Sequence, residues 1–309
     1  MNKVNLCWVL SDGQKGHEIQ SMTLAQELSS QVNLYQFMLK QPWQFFTPRR
    51  MPKFQFALTW KDQAPVTSQP PNVIITTGRK AAAVGKHLKD QLKRIGHNCT
   101  HLQILNPKDN LSQYDLVLIP QHDEVWGPNV INFQGSIHPF NQHWFKQSNK
   151  ELSTYIAIIL GNPQPKYFIS EFQAEIAYIR SSFPTTPLYF CGSPRLAKDT
   201  KNTIMSLVES QDKIWLNQLD GPNPYRTLLK SAKKLFVSSD SINMINEACQ
   251  SNTPVSLLAS QLTPSPKHQR FIHSIQHRLC LLDSLEMGTP CDFALNQIKH
   301  HPLLQSTFK

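Results

Sequence analysis

Charge is scarce in this sequence. Only 17% of its 309 residues are Asp, Glu, Lys or Arg, against a usual share of roughly a quarter. Gln, Asn, Ser and Thr supply the missing polarity, so the surface is expected to be polar but lightly charged. No apolar run approaches the roughly 20 residues that span a bilayer, which argues against a membrane-spanning helix. The N-terminal stretch VNLCWVLS reads as a strand and not as a signal peptide, so a cytoplasmic location is expected. None of the six cysteines forms a C-x-x-C pair, and Cys7, Cys191 and Cys280 sit inside apolar, strand-like runs. They read as buried thiols in a reducing compartment, not as a disulfide frame. There is no run of five Lys/Arg and no zinc-finger or RNA-binding signature, which sets nucleic acid aside as a partner. No complete G-x-G-x-x-G stands at the first turn and no Y-x-x-x-K accompanies it, which weighs against an epimerase.

What is present points to an α/β chain. Hydrophobic residues make up 40% of a length that suits two cores better than one. The net charge of +10 suits an anionic partner, such as a sugar nucleotide or an acidic membrane face. Short apolar strands alternate with helical patterns throughout, the rhythm of parallel sheets. Strands are predicted at residues 4–11, 32–39, 73–77, 102–105, 116–120 and 130–134. In the second half they are predicted at 155–161, 188–192, 214–218, 235–239, 255–259 and 279–282. Helices are predicted near residues 16–30, 81–95, 139–147, 168–182, 199–209, 224–233, 241–250 and 267–277, with a helical tail after residue 290. The polar stretch 147–153 is the best linker, giving domains 1–150 and 151–309.

Ligands of open parallel sheets bind beyond the carboxyl ends of the strands, and several strands here end in polar residues. The first runs into Ser11-Asp12-Gly13-Gln14-Lys15-Gly16-His17-Glu18. Glycines there permit a tight turn, and the helix that follows offers free N–H groups to an anion. His17 and Glu18 at that mouth suit acid–base chemistry. The plain alternative is a strand–turn–helix capped by Asp12. The strand at 73–77 runs into Thr77-Gly78-Arg79-Lys80, and another ends in Gln121-His122-Asp123-Glu124 with Gly127-Pro128-Asn129 close behind. In the second half, Ser193 and Arg195 end a strand and could contact phosphate, the guanidinium as a fork. The loop Asp220-Gly221-Pro222-Asn223-Pro224-Tyr225 is stiffened by two prolines and could grip a base. Ser238-Ser239-Asp240-Ser241 opens a helix that carries Glu247 two turns in. Ser239 and Ser241 suit a phosphate and Glu247 a ribose, while the plain alternative is a helix capped by Asp240. His273 and His277 stand four apart on a predicted helix, but no third ligand accompanies them, so no metal is expected. Residues 42–60 interleave Trp43, Phe45, Phe46, Phe54 and Trp60 with Arg49, Arg50 and Lys53, which suits either an interfacial membrane contact or a loop packed on the first domain.

Taken together, these segments resemble the mitochondrial-fission family of the elongated-mitochondria type, which has bacterial relatives. The resemblance rests on Trp8 to Ser21 (W-x-L-S-D-G-x-K-G-H-E-x-Q-S), Thr77-Gly78-Arg79, Pro120-Gln121-His122-Asp123, Gly127-Pro128-Asn129, Asp220 to Tyr225, and Ser239 to Ala248 (S-D-S-x-x-M-x-x-E-A). That family is similar in turn to GT-B glycosyltransferases, among them the enzyme that adds N-acetylglucosamine to make lipid II. The resemblance implies two Rossmann-like domains facing across a cleft, with the final helix packing back on the first. It implies a nucleotide-diphosphate sugar as donor, held by Ser193, Arg195, Asn223, Tyr225, Ser239, Ser241 and Glu247. It makes His17 or Asp12 the base, with Gly13, Gly16, Glu18, Gly78, Arg79, His122, Asp123 and Asn129 on the acceptor side. The expected function is a metal-independent transfer to an envelope glycan or lipid acceptor, with no resident cofactor. The alternative is a non-catalytic, membrane-associated adaptor that keeps the fold. The sequence departs from relatives in lacking a second Arg near Arg195 and a glycine after Leu262.

Overall fold

In the first strand, β1 (Val4–Ser11), Cys7 and Val9 enter one apolar layer while Trp8 and Leu10 enter another. This period of two marks a strand covered on both faces, as parallel sheets require. The computed structural model describes residues 3–308 apart from residues 51, 141, 147–149, 263, 264, 290, 292 and 293. The chain divides into two compact units, residues 1–139 with 293–309, and residues 140–292.

Unit 1 contains β1, β2 (Ser29–Leu39), β3 (Leu58–Trp60), β4 (Val73–Thr77), β5 (Thr100–Ile104), β6 (Leu116–Pro120) and β7 (Val130–Phe133). The sheet order is β3-β2-β1-β4-β5-β6-β7. All neighbours are parallel except the edge pair β2–β3. The order reverses between β1 and β4, which is where such sheets bind ligands. Helix α1 (Lys15–Leu28) buries Leu24, Ala25 and Leu28 on one face of the sheet. The one-turn α2 (Trp43–Phe46) lies in the segment before β3. Helix α3 (Gly78–Arg94) covers the other face through Ala81, Ala83, Val84, Leu88 and Leu92. It approaches closely enough that a Cβ on Gly85 would lie 2.4 Å from His101 Nε2.

Unit 2 has five parallel strands, β8 (Ile156–Leu160), β9 (Leu188–Gly192), β10 (Lys213–Trp215), β11 (Lys234–Ser238) and β12 (Val255–Leu258). Their order is β10-β9-β8-β11-β12, reversing between β8 and β11. Its helices are α4 (Gln142–Phe145), α5 (Pro165–Ser182), α6 (Lys198–Leu207), α7 (Tyr225–Ser231), α8 (Ile242–Cys249) and α9 (Pro266–Ser274). Phe168, Phe172, Ile176 and Ile179 of α5 form one core with Ile156, Ile158 and Leu160 of β8. The tail helices α10 (Ala294–Lys299) and α11 (Pro302–Thr307) belong to unit 1, where Ala294, Ile298 and Leu304 are buried with the residues of β1 and α1.

Several expectations give way. Residues 279–282 form no strand: only an isolated bridge joins Leu279 to Val255. Cys280 is half-buried, its thiol donating to the Glu286 carbonyl at 2.6 Å, whereas Cys7 and Cys191 are strand residues buried as expected. The helix expected at 139–147 is the single turn α4. Helix α9 stops at Ser274 and His277 sits in a 3-10 turn, so His273 and His277 do not share a helix. Residues 147–149 of the expected linker lie outside the described residues, and Lys150–Thr154 is a 3-10 turn. The units part at residues 139 and 140.

Candidate functional site

The first group stands where β1 and β4 end side by side. Gly13 takes φ +81° with open space around it, a left-handed turn that glycine makes without strain. Asp12 is not a helix cap. The helix opens at Lys15, and Asp12 Oδ1 accepts from the Gln14 amide at 3.3 Å. The same oxygen lies 3.5 Å from His17 Nδ1, at the long limit of a hydrogen bond. Burial pushes the Asp12 carboxyl up, but bonding to His17 and the Gln14 amide and the charges of His17 and Lys80 outweigh it and hold it below the usual range. The His17 ring rests on Gly78 of β4's exit, where a Cβ would come within 2.7 Å of Cε1. Gly78 itself has φ +80°. Ser21 and Thr77 hydroxyls meet at 2.6 Å and tie α1 to β4 beneath this pair.

Glu18 faces the other way, into a network. It accepts from Ser11 Oγ (3.0 Å), Gln36 Nε2 (2.7 Å) and Lys15 Nζ (3.1 Å), and Lys61 donates to Gln36 Oε1 at 3.2 Å. Burial raises the Glu18 carboxyl, yet those donors bring it below its ordinary value. Gly16 is exposed with open space around it. Arg79 donates to the Thr47 carbonyl and so pins the segment before β3. His122 and Asp123 form a 3-10 turn beyond β6 at the same sheet edge, but β6 is three strand spacings from β1, roughly 14 Å. Asn129 precedes β7 and therefore lies at the opposite, amino edge. Its Nδ2 donates to the carbonyls of Leu111 and Tyr114, both at 2.8 Å. The expected acceptor set thus divides: Asp12, Gly13, His17 and Gly78 come together, His122 and Asp123 stand apart, and Asn129 is structural.

The second group lies at the carboxyl edge of unit 2. Gly161, after β8, joins its two sides. Its carbonyl accepts from Ser193 Oγ at 2.6 Å and its amide donates to Ser238 Oγ at 2.9 Å. Asp240 does not cap α8; Ser241 does, accepting from the Met244 amide at 3.5 Å. Asp240 instead accepts from the Asn162 amide (2.7 Å) and Ser238 Oγ (2.6 Å). A Cβ on Gly161 would sit 2.5 Å from its Oδ2. Ser239 Oγ donates to the Ala259 carbonyl at 2.8 Å. The Ser193 and Ser239 hydroxyl protons are therefore committed to backbone carbonyls. An anion here would meet the first-turn amides of α8, the Ser241 hydroxyl and Arg195, whose exposed guanidinium bonds to no other group among the described residues.

Beyond β10, Asn217 and Asp220 close a capping box and Trp215 Nε1 donates to the Gly221 carbonyl at 2.8 Å, which shapes the proline loop. Asn223 Oδ1 accepts from the Tyr225 amide at 2.9 Å. The Tyr225 hydroxyl donates to Glu247 Oε2 at 2.5 Å. Burial pushes the Glu247 carboxyl up to about 7, against the Tyr225 bond and the Arg226 charge. Sequence reasoning missed Gly161, Asp240 as a bridge, and Glu175, whose two oxygens accept from the Ala259 amide at 3.0 and 2.9 Å. Burial drives Glu175 up to about 7 as well. Gly161-Asn162 was findable, because it ends the first strand of unit 2 as Ser11 to Gly13 end that of unit 1. Glu175 carries no such signal. Among the described residues no three His, Cys, Asp or Glu side chains gather as metal ligands, and no helix is long and apolar enough to cross a membrane.

The family model described as Mitochondrial fission ELM1 matches residues 15–300. The chain belongs to that family. A Rickettsia prowazekii protein, itself uncharacterized, is 24% identical over 87% of each chain. Arabidopsis thaliana Mitochondrial fission protein ELM1 is 21% identical over 60% of this chain and 51% of its own length. Among solved structures, the glycosyltransferase of kitacinnamycin has a TM-score of 0.51 at 12% identity, covering 100% of this chain and 94% of its own. A putative UDP-N-acetylglucosamine 2-epimerase from Listeria monocytogenes has 0.50 at 12% identity, covering 88% and 82%. This ELM1-family chain therefore has the GT-B fold, two Rossmann-like units.

Proposed function

We propose that this ELM1-family protein binds a nucleotide-diphosphate sugar in unit 2 and uses His17 of unit 1 as the base that deprotonates an acceptor hydroxyl. The observation that carries the reading is the furnishing of unit 2's carboxyl edge. A helix N-terminus, an Arg195 guanidinium without a partner among the described residues and a half-buried Glu247 issue from strands on either side of the order reversal, and each suits one part of a nucleoside diphosphate. In unit 1, Asp12 facing Nδ1 favours the tautomer with its proton there. Nε2 is then left as the acceptor of a substrate proton, and Asp12 would stabilise the resulting imidazolium. A leaving diphosphate would be stabilised by fixed amides and Arg195. An envelope glycan or lipid is the acceptor this reading favours.

The test pairs binding with turnover. Nucleoside diphosphates and their sugar conjugates should raise the melting temperature of the whole protein, by roughly 2.7 kcal/mol of stabilisation at a hundred times Kd. Turnover of the stabilising conjugate should fall by roughly 10²–10⁴-fold in His17→Ala with the thermal shift intact. Stabilisation by no nucleotide would overturn the reading. Stabilisation without turnover would leave the adaptor alternative, a binding protein on the same fold.

One observation favours membrane contact under either alternative. Of the aromatics in residues 42–60, Phe54 is buried at 4% and Trp43 and Trp60 pack on the core of unit 1, but Phe45 and Phe46 are 67% and 47% exposed. Met38 and Phe56 join them at 64% and 65%. Lys40, Arg49 and Lys53 lie among these residues in sequence, exposed and without an ion pair among the described residues, while Arg50 is spent on Asp90 at 2.5 Å. Apolar rings beside free cations suit an anionic lipid surface.

A further inference from the structure

Tyr225 was expected to touch a nucleotide directly, but its hydroxyl is occupied. It donates to Glu247 Oε2 at 2.5 Å, and both residues are half-buried. The tyrosine is also fixed in place. It is the first residue of α7, its amide is held by Asn223 Oδ1 at 2.9 Å, and Pro224 before it is buried. The loop leading there is closed by Asp220, which accepts from the Leu216 and Asn217 amides at 2.7 and 3.0 Å. A phenol held this rigidly fixes the carboxylate it bonds. One carboxylate oxygen takes the phenol and the other is left with its lone pairs for further donors.

We propose that Tyr225 is a positioning residue for sugar recognition: by engaging Oε2 it aims Glu247 Oε1 at the vicinal diol of a ribose, so that selection of ribonucleotides over deoxynucleotides depends on Tyr225. The inference rests on the nucleotide reading of unit 2. It differs from a direct contact, because Tyr225 touches no ligand atom and acts through Glu247.

A consequence in pH follows. The groups facing the pair are Arg226, beside Glu247, and the Cys191 thiol, beside Tyr225. With its carboxyl near 7, Glu247 becomes a full acceptor as pH rises through neutrality and is protonated below it. Ribonucleotide affinity should therefore rise with pH across that range. The Tyr225 bond favours the ionised carboxylate, so its loss should move the midpoint upward.

The experiment is calorimetric titration of the full chain with UDP and ADP and with their 2′-deoxy analogues, from pH 6 to 8.5. The wild type should prefer the ribonucleotides by roughly tenfold at pH 8, the value of one hydrogen bond to a charged group, with the preference fading toward pH 6. Tyr225→Phe should bind the deoxy analogues as the wild type does, lose most of the preference, and show its midpoint at higher pH. Glu247→Gln should lose the pH dependence of that preference, while the ionisation of the terminal phosphate shifts ribo- and deoxynucleotides alike. If Tyr225→Phe keeps the wild-type preference and midpoint, the proposal is overturned. Equal weakening of both nucleotide classes with an unmoved midpoint overturns it too, because that is the signature of lost packing. Absence of any binding by the wild type overturns the nucleotide reading and this inference with it, an outcome distinct from the other two.

Discussion

At the scale of single residues, the two switch points share a device: a glycine on one strand exit receives a polar side chain from the neighbouring one. Gly78 receives the His17 ring, and Gly161 receives the Asp240 carboxylate. In each case the missing Cβ is what lets the side chain lie flat on the backbone. Gly78 adds a left-handed backbone at φ +80°. These two costs can be separated. Gly78→Ala should lower stability by the left-handed penalty, roughly 1–2 kcal/mol, and by a further clash with the ring of about 1–2 kcal/mol. In a His17→Ala background the clash is gone and only the first cost should remain. Urea denaturation of the four proteins gives the coupling directly. Equal costs in both backgrounds would show that His17 does not rest on Gly78.

At the scale of elements, the stretch between β2 and β3 combines exposed and anchored residues: Phe45, Phe46 and Phe56 are exposed, while Thr47, Phe54 and Ala57 are buried. The Lys40 amide donates to the Ala57 carbonyl at 2.9 Å, which sets Lys40 beside Phe56. Trp43 Nε1 donates to the Pro52 carbonyl at 3.2 Å and Arg79 holds Thr47 from outside. Anchored in this way, the segment can present Phe45, Phe46 and Phe56 with little ordering cost on binding. The full chain should therefore sediment with vesicles containing phosphatidylglycerol and not with pure phosphatidylcholine, and salt should weaken the interaction. Phe45→Ser with Phe46→Ser should release it while leaving nucleotide binding unchanged. Sedimentation indifferent to lipid charge would make the segment a structural cover. The same segment shows where sequence stops being legible. Strands with two buried faces, such as β4 and β6, announce themselves as continuous apolar runs, and their ends were read to the residue. The three-residue β3 is too short for any period, so its pairing with β2 is decided by the sheet edge and not by its own pattern. Residues 279–282 fail in the opposite direction. They are apolar enough for a strand, but beyond β12 only Leu279 makes a bridge. The site follows the same logic. Strand exits located Asp12, His17, Ser241 and Glu247, because polarity after an apolar run is visible in sequence. Which hydroxyls remain free to donate was not visible, since Ser193 and Ser239 spend theirs on carbonyls 32 and 20 residues away.

At the scale of the whole molecule, two units of like fold are unequal in charge and in how they close. Unit 1 holds sixteen Lys/Arg against nine Asp/Glu, and unit 2 fifteen against twelve, so most of the net +10 belongs to the unit that carries the exposed aromatics. Unit 1 is also discontinuous. Its last helices arrive after the chain has completed unit 2, and they are not ornamental. Ala294, Ile298 and Leu304 are buried with Val9, Leu24 and Phe133, Lys299 pairs with Glu27 at 2.7 Å, and Gln297 accepts from the Gln134 amide at 2.9 Å. Ile298 is fully buried. Truncating it to alanine removes apolar contact and leaves a cavity, which should cost roughly 2–5 kcal/mol. For a unit of this size that is a melting-temperature drop of roughly 2–4 °C per kcal/mol. The loss should fall on unit 1 alone, because the contacts named are all within it. Differential scanning calorimetry with a stabilising nucleotide separates the two: the ligand should raise the unit 2 transition by the same amount in wild type and Ile298→Ala, while the unit 1 transition drops in the variant. A fall in the nucleotide-responsive transition would mean that the tail stabilises unit 2, and the assignment of α10 and α11 to the core of unit 1 would fail.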